Sequence, residues 1–185
     1  MEPLQVMGIP DELLGYVRGC PLFLELVALP RDGAWSTSSH VRDVNMLRSL
    51  KDKASGREQQ IRIPWREVPE ELKVRLVAFI GCNAHDLTSV SFMVFQRAEG
   101  IDGHCDQAWV GDSFWGFSIV LQSEPSSALP YNLVFRTKKK ATVVGEHVVR
   151  SNSAYHCSGN NRHKFKHEVV PASAGRRFFV RVGLN

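Results

Sequence analysis

Apolar and polar positions alternate along much of the chain, which is the pattern of β-strands that bury one face. The strand-like runs are short, and loops rich in glycine, proline, serine and asparagine separate them. We predict strands over residues 21–30, 90–95, 114–121, 131–135, 142–149, 165–170 and 178–182. Short strands in close succession favour antiparallel sheets.

One segment has the apolar spacing of a helix instead. Its apolar residues recur at three-residue steps: Val41, Val44, Leu47 and Leu50. Ser38 or Ser39 can cap the start, and Gly56 suits the position just after the end. We therefore predict a helix over residues 40–53 that packs a narrow apolar face on a sheet.

The segment 69–80 combines two patterns. Pro69 followed by two glutamates is a favourable helix start. Leu72, Val74 and Leu76 then alternate with charged residues, as they would in a strand. We expect a helical turn here that leads into a strand.

These elements predict an α+β fold, mostly antiparallel β-sheet with one firm helix packed on it. A chain of 185 residues is long enough for one hydrophobic core. We expect residues 1–20 to form an N-terminal arm and residues 21–185 to form a single domain. Its last part, residues 136–185, is a basic strand region.

The sequence also limits where the protein is expected to work. No apolar run reaches the roughly 20 residues of a membrane-spanning helix, and the N-terminus lacks a signal-peptide pattern. The four cysteines are too few and too scattered for a disulfide framework: Cys20, Cys82, Cys105 and Cys157. We therefore expect reduced thiols in the cytoplasm or nucleus.

Charge is distributed very unevenly along the chain. Residues 136–185 hold eleven of the 23 Lys and Arg residues but only two of the 19 acidic residues, which gives a formal charge of +9. Residues 1–135 carry −5. A basic end on a mildly acidic body indicates a surface for a polyanion, either RNA or an anionic membrane.

We predict that the last strands pair and present these cations on one sheet face, which we term the basic plate. The basic residues alternate with apolar ones along the strands, so they share a face, and Phe179 among them is placed to stack on bases. The predicted polyanion-binding residues are Lys138, Lys139, Lys140, Arg150, Arg162, Lys164, Lys166, Arg176, Arg177, Phe179 and Arg181. The alternative is an ordinary solvated face whose lysines protect sheet edges from aggregation.

Cysteine and histidine residues offer weaker signals for metal binding or catalysis. Cys82 and His85 have zinc-ligand spacing, and His104 with Cys105 follows, but structural zinc sites usually present two tight pairs. Cys105, beside His104 and near Asp102 and Asp106, is a compact nucleophile–base cluster that no known catalytic signature surrounds. We predict no catalytic residue, no metal site and no cofactor. Whether Cys82, His85, His104 and Cys105 bind a metal stays open.

One stretch resembles a known family. Residues 22–29, residues 40–53 and the run Lys73-Val-Arg-Leu-Val-Ala-Phe-Ile-Gly81 have the order strand, helix and basic-apolar strand. This order resembles the central part of rhabdovirus matrix proteins of the vesicular stomatitis type. The resemblance implies an α+β matrix domain that self-associates, condenses the nucleocapsid and touches membrane. The chain departs from that pattern because it lacks a Lys-rich N-terminal tail and a Pro-Pro-x-Tyr budding motif.

The expectation from sequence is therefore a non-enzymatic, matrix-like viral structural protein. It would bind RNA or nucleocapsid, and anionic membrane as a second surface, and it would form homo-oligomers in the virion or in the infected cell. The alternative is a nucleic-acid-binding viral accessory protein, such as a silencing suppressor or movement protein. A Cys/His enzyme or a zinc-binding module is the remaining alternative.

Overall fold

The structure is a computed structural model that describes residues 3–21, 24, 39–40, 47–50, 59–64, 66, 68–95, 101–106, 111–120, 131–171 and 177–185. The strands are β1 Gln5–Gly8, β2 Ser39–His40, β3 Leu47–Leu50, β4 Gln59–Pro64, β5 Leu87–Phe95, β6 Ile101–His104, β7 Ser113–Val120, β8 Tyr131–Thr137, β9 Val143–Val149, β10 Ser153–Cys157, β11 Phe165–Pro171 and β12 Arg177–Leu184. The α-helices are α1 Asp11–Gly19, α2 Glu70–Ile80 and α3 Gly159–His163, and a 3₁₀ helix spans Ala84–Asp86.

The strands form two antiparallel sheets. The larger sheet has the order β1-β10-β7-β12-β5-β4-β3-β2, and the smaller sheet has the order β6-β11-β8-β9. From β5 onward the chain passes repeatedly from one sheet to the other, and the two inner faces share one apolar cluster. Two packed antiparallel sheets connected in this way form a jelly roll.

Two apolar clusters hold the layers together. The inter-sheet core consists of Phe114, Tyr131, Leu133, Phe135, Val149, Tyr155, Cys157, Val169 and Phe179. The helix-side core packs α1 and α2 on the opposite face of the larger sheet, and its members include Leu14, Leu72 and Phe117. Alternation along β7 explains the division, because Phe114 faces the inter-sheet core whereas Trp115 and Phe117 face the helices.

Much of the strand pattern is confirmed. The predicted strands from residue 90 onward correspond to β5, β7, β8, β9, β11 and β12, and the β-rich α+β class is correct. Within the predicted N-terminal arm, α1 packs in the helix-side core and β1 pairs with β10. None of the described helices is long and apolar enough to cross a membrane.

The predicted helix over residues 40–53 is wrong where the structure describes it. Ser39–His40 and Leu47–Leu50 are strands, and β3 pairs with β4 in the register Leu47↔Arg62. Residues 41–46 and 51–58 lie outside the described residues. Three-residue apolar spacing is a local signal, and pairing with β4 overrides it. The predicted strand at 21–30 also fails at its described residues, because Pro21 and Leu24 are helical.

The segment 69–80 is helical throughout its described length rather than a turn leading into a strand. Leu72 and Leu76, one helical turn apart, are buried, whereas Val74 between them is 57% exposed. The apparent period of two was therefore one buried face of a helix plus an exposed valine. Gly81, at a φ of 71°, ends the helix in the left-handed conformation that glycine adopts readily.

Candidate metal centre

Three metal-ligating side chains meet at one end of the space between the sheets. His104 ends β6, Asp106 follows two residues later, and His167 lies on β11, which pairs with β6 in the register His167↔His104. The three ligand atoms lie within 4.8 Å of one another. His104 Nε2 lies 3.9 Å from Asp106 Oδ1, and His167 Nε2 lies 3.4 Å from Asp106 Oδ2.

The carboxylate of Asp106 is buried but charged. Its side chain is 2% exposed, and Arg181 of β12 donates a hydrogen bond to Oδ1 at 2.6 Å. Burial on its own would raise the pKa of Asp106, but the charges of Arg181, His167, His104 and Arg162 outweigh it and lower that pKa. Asp106 therefore stays ionised at neutral pH.

His167 is held in the neutral form. Its side chain is 6% exposed, and burial lowers the pKa of His167 to about 4 against the opposing attraction of Asp106. A neutral imidazole has a nitrogen lone pair available for a metal ion, whereas an imidazolium does not. At neutral pH Asp106 therefore offers a carboxylate and His167 a neutral imidazole, and His104 is the third side chain of the cluster.

The donor set and its environment fit a divalent transition metal ion. Asp106 Oδ2 is buried and accepts no hydrogen bond, and a coordinated cation would satisfy such an oxygen. Two histidines and one carboxylate are the ligands of non-haem Fe(II) centres. Among the residues that the structure describes, His104, Asp106 and His167 form the one group of such side chains close enough together to hold a metal ion.

The zinc set considered from the sequence is not assembled. His104 contacts Asp106 and His167, while His85 is 80% exposed beside Asp86. Burial raises the pKa of the Cys82 thiol, opposite to what a thiolate ligand requires. Cys105 donates from Sγ to the Phe165 carbonyl oxygen at 3.5 Å.

The basic plate is not formed, because β11 and β12 do not pair. β12 lies between β7 and β5 in the larger sheet, and β11 belongs to the smaller sheet. Three of the predicted residues lie inside the protein. Arg181 is bound to Asp106, Phe179 is in the inter-sheet core, and Arg162 is buried, at 3% exposure.

The remaining predicted cations are placed differently. Lys138, Lys139, Lys140, Arg150 and Lys164 are exposed, and Lys166 is half-buried. Lys164 precedes Phe165, which pairs with Thr137, so it meets the turn that carries Lys138–Lys140. Arg176 and the side chain of Arg177 lie outside the described residues. Polyanion binding by this set stays a prediction.

Sequence reasoning missed Asp106 and His167 as ligands, although a signal was present. His104 and Asp106 are two residues apart, so in an extended chain their side chains project to the same side. His167 occupies an apolar-facing position on a basic strand, between Lys166 and Glu168. A histidine on the buried face, distant in sequence from a His-x-Asp pair, completes the ligand set only when β6 and β11 pair.

No protein-family model matches the sequence, and no curated protein matches it either. Among solved structures, OsALKBH1 matches over 98% of both chains, with a TM-score of 0.58 and 12% identity. The chain therefore shares its fold with OsALKBH1. A Pseudomonas putida prolyl-4-hydroxylase also matches, at a TM-score of 0.49 and 13% identity, over 98% of this chain and 91% of that chain.

These findings overturn the functional expectation drawn from sequence. The resemblance to rhabdovirus matrix proteins is wrong, because the chain matches the fold of OsALKBH1 over 98% of its length. Residues 73–80, which that resemblance takes as a strand, are helical. The non-enzymatic, virion-associated role is wrong as well. The fold shared with OsALKBH1 and the His104–Asp106–His167 cluster contradict that expectation.

Proposed function

We propose that the protein is a non-haem Fe(II)- and 2-oxoglutarate-dependent oxygenase. The observation that carries this proposal is the cluster of His104, Asp106 and His167 at one end of the jelly roll. The likeness of the fold to OsALKBH1 is consistent with it. When bound, Fe(II) with 2-oxoglutarate supplies the oxidising chemistry, and the protein supplies ligands, orientation and charge.

The chain prepares its ligands for a cation at neutral pH. Asp106 contributes a negative charge, and burial keeps His167 neutral, so neither of these two groups has to lose a proton before a metal ion binds. Arg181 donates to Oδ1 of Asp106, which leaves Oδ2 directed toward His167. Arg181 therefore acts as a positioning residue for the carboxylate.

The space beside the cluster also suits an anionic co-substrate. A 2-oxo acid carries carboxylates that cations and neutral hydroxyl donors bind well. Arg181 supplies a cation there, with its side chain 11% exposed. Burial is the main reason why the pKa of Tyr155 lies well above 10, and the nearby Tyr131, Cys157 and Asp106 raise it further. Tyr155 therefore keeps its proton and remains a hydrogen-bond donor close to the cluster.

The test is Fe(II) binding under anaerobic conditions, followed by formation of succinate from 2-oxoglutarate in air. Asp106→Ala and His167→Ala are each expected to weaken Fe(II) binding by roughly 100-fold or more, because each removes one of three ligands. His85→Ala, which changes an exposed histidine, is the control and should bind Fe(II) normally. A wild-type protein without Fe(II) affinity, or ligand variants that keep it, would refute the proposal.

A second proposal concerns a partner. The exposed lysines Lys138–Lys140 and Lys164 meet at one end of the smaller sheet, which supports attraction of a polyanion such as RNA to that end. Binding of labelled single-stranded RNA should weaken steeply as salt rises and should be lost when all four lysines are changed to Glu. Equal binding by wild type and this variant would remove RNA as the partner.

A further inference from the structure

Asp106 differs from the two histidines of the metal centre in how its backbone is held. His104 and His167 are partners in the ladder between β6 and β11, so strand pairing positions both of them. The strand β6 ends at His104, and Asp106 lies two residues beyond that end. The contacts that fix the backbone of Asp106 must therefore come from another part of the chain.

Arg162 of α3 makes such a contact. Its guanidinium donates from Nη1 to the carbonyl oxygen of Asp106 at 3.1 Å, and from Nη2 to the carbonyl oxygen of Gly111 at 3.4 Å. Arg162 is 3% exposed, so water hardly competes for these hydrogen bonds. One planar side chain therefore joins two backbone positions that follow β6.

The second of these positions is itself anchored. Gly111 has a φ of 95°, and a Cβ there would collide with the carbonyl oxygen of Leu184 in β12, so this close approach requires glycine. Next to Gly111, the carbonyl oxygen of Asp112 lies 3.1 Å from Nε2 of His163 in α3. Arg162 therefore ties Asp106 to a part of the backbone that β12 and α3 already hold.

The helix α3 is also close in sequence to the third metal-ligating residue. It ends at His163, and β11, which carries His167, begins at Phe165. Arg162 therefore connects the backbone of Asp106 with the segment that leads into the strand of His167. A displacement of Arg162 would change the separation of two ligands.

The charge of Arg162 and its hydrogen bonds should affect a bound cation in opposite ways. The positive charge acts on the carboxylate of Asp106, as the charge of Arg181 does more strongly. A positive charge near the site repels a metal ion, whereas a fixed ligand backbone favours the geometry that the ion requires. Loss of the charge should therefore tighten metal binding, and loss of the fixed position should weaken it.

We propose that Arg162 is a positioning residue for the metal centre, which holds the backbone of Asp106 so that its carboxylate can bind the ion together with the two histidines. Arg181 donates to the carboxylate of the same residue. One arginine thus fixes the backbone of Asp106, and the other fixes its side chain. This inference rests on the proposed oxygenase function, because it concerns the same metal ion.

The test is the Fe(II) affinity of the full-length Arg162→Lys and Arg162→Met variants, measured anaerobically by calorimetry. Lysine keeps the charge but lacks the planar fork that joins two carbonyl oxygens, and methionine lacks both. We expect weaker binding in Arg162→Lys and a larger loss, of roughly 10-fold or more, in Arg162→Met, as for other residues that support a metal ligand. Saturating Co(II) is the second probe. Its visible absorption depends on ligand number and geometry, so the spectrum of Arg162→Lys should differ from that of the wild type.

Leu76→Ala is the matched control for a loss of stability alone. Leu76 is 1% exposed in the helix-side core, on the other face of the larger sheet, so this variant lowers the free energy of unfolding away from the metal centre. It should bind Fe(II) as the wild type does. Circular dichroism at the assay temperature identifies the folded variants, and Arg162→Lys carries the test if Arg162→Met does not fold.

Two results would overturn the proposal and leave the oxygenase intact. Wild-type Fe(II) affinity in the folded Arg162 variants would mean that Arg162 supports only the fold. Unchanged affinity in Arg162→Lys together with tighter binding in Arg162→Met would mean that Arg162 acts through its charge. A wild-type protein without Fe(II) affinity would instead reject the oxygenase, and this inference with it.

Discussion

Two arginine–carboxylate pairs in this protein have the same length and opposite surroundings. Arg181 and Asp106 are 2.6 Å apart, with side chains 11% and 2% exposed. Arg136 and Glu168 are also 2.6 Å apart, with side chains 30% and 23% exposed. The first pair includes Asp106 of the candidate metal centre, and the second lies on β8 and β11 on the solvent-facing side of the smaller sheet. Distance alone therefore does not rank them, and burial decides what each pair contributes.

The inner pair should show the largest effect when it is broken. Arg181→Met removes the main charge partner of Asp106 and leaves a buried carboxylate, which typically costs about 3–5 kcal/mol of unfolding free energy. Urea denaturation measures this loss. The double variant Asp106→Leu/Arg181→Met should recover much of it, because a buried pair replaced by apolar residues is often neutral. A double variant less stable than Arg181→Met would contradict this account.

Packing near the inner pair should show the next largest effect. A Cβ at Gly116 would lie 2.5 Å from Cζ of Phe179 and 2.8 Å from Cζ of Tyr155. Gly116→Ala therefore overpacks the inter-sheet core and should cost about 1–3 kcal/mol in urea denaturation. Gly103→Ala is the control, because its Cβ would meet Glu168 and Lys166 at ordinary contact distances of 3.7 Å or more. Equal losses in the two variants would show that the inter-sheet core yields to an added methyl group.

The half-buried side chain of His156 should give a smaller effect, which appears in the pH dependence of stability. Burial lowers the pKa of His156 below its ordinary value of 6.5, and its ring stacks on Trp115 at 5.1 Å. The folded state therefore favours neutral His156, and its contribution to stability is complete above pH 6.5 and is lost as pH falls below it. His156→Phe should keep the stacking and lose less stability than wild type between pH 7.5 and 5.5. His167 is present in both proteins, so the stability of each should decline to some extent as pH falls. An identical decline in the two proteins would exclude a contribution from His156.

Breaking the outer pair should have the smallest effect. Arg136→Met removes a solvent-screened partner of Glu168, which can be hydrated instead. The urea midpoint is expected to stay nearly unchanged at physiological salt, in contrast to Arg181→Met. A loss as large as that of the inner pair would show that the two pairs are energetically alike despite their difference in burial.

The strands were predictable because their signal is local. The alternation of apolar and polar residues along β7 and β11 reflects which face of each strand is buried. This pattern does not depend on how the sheets are arranged. The helix predicted at residues 40–53 and the strand predicted within α2 failed for a shared reason. Each segment has apolar spacing compatible with both structures, and tertiary partners decide between them: β4 for Leu47, and the helix-side core for Leu72 and Leu76.

The site was not predictable from charge. Net charge marked residues 136–185 as functional, but charge counts do not separate a solvated lysine from an arginine bound to a buried carboxylate. Lys166 and His167 are neighbours in sequence and face opposite sides of one strand. The metal cluster depends on the pairing of β6 with β11 and on the position of β12, both of which join residues far apart in the chain.

The position of β12 has a consequence for synthesis on the ribosome. β12 follows both of its neighbours in sequence, yet it lies between β5 and β7 near the middle of the larger sheet. While the nascent chain emerges, β5 and β7 expose unpaired edges that only this late strand covers, and such edges invite association with other chains. Arg181 lies on the same strand, so the carboxylate of Asp106 gains this charge partner only after β12 has been synthesised.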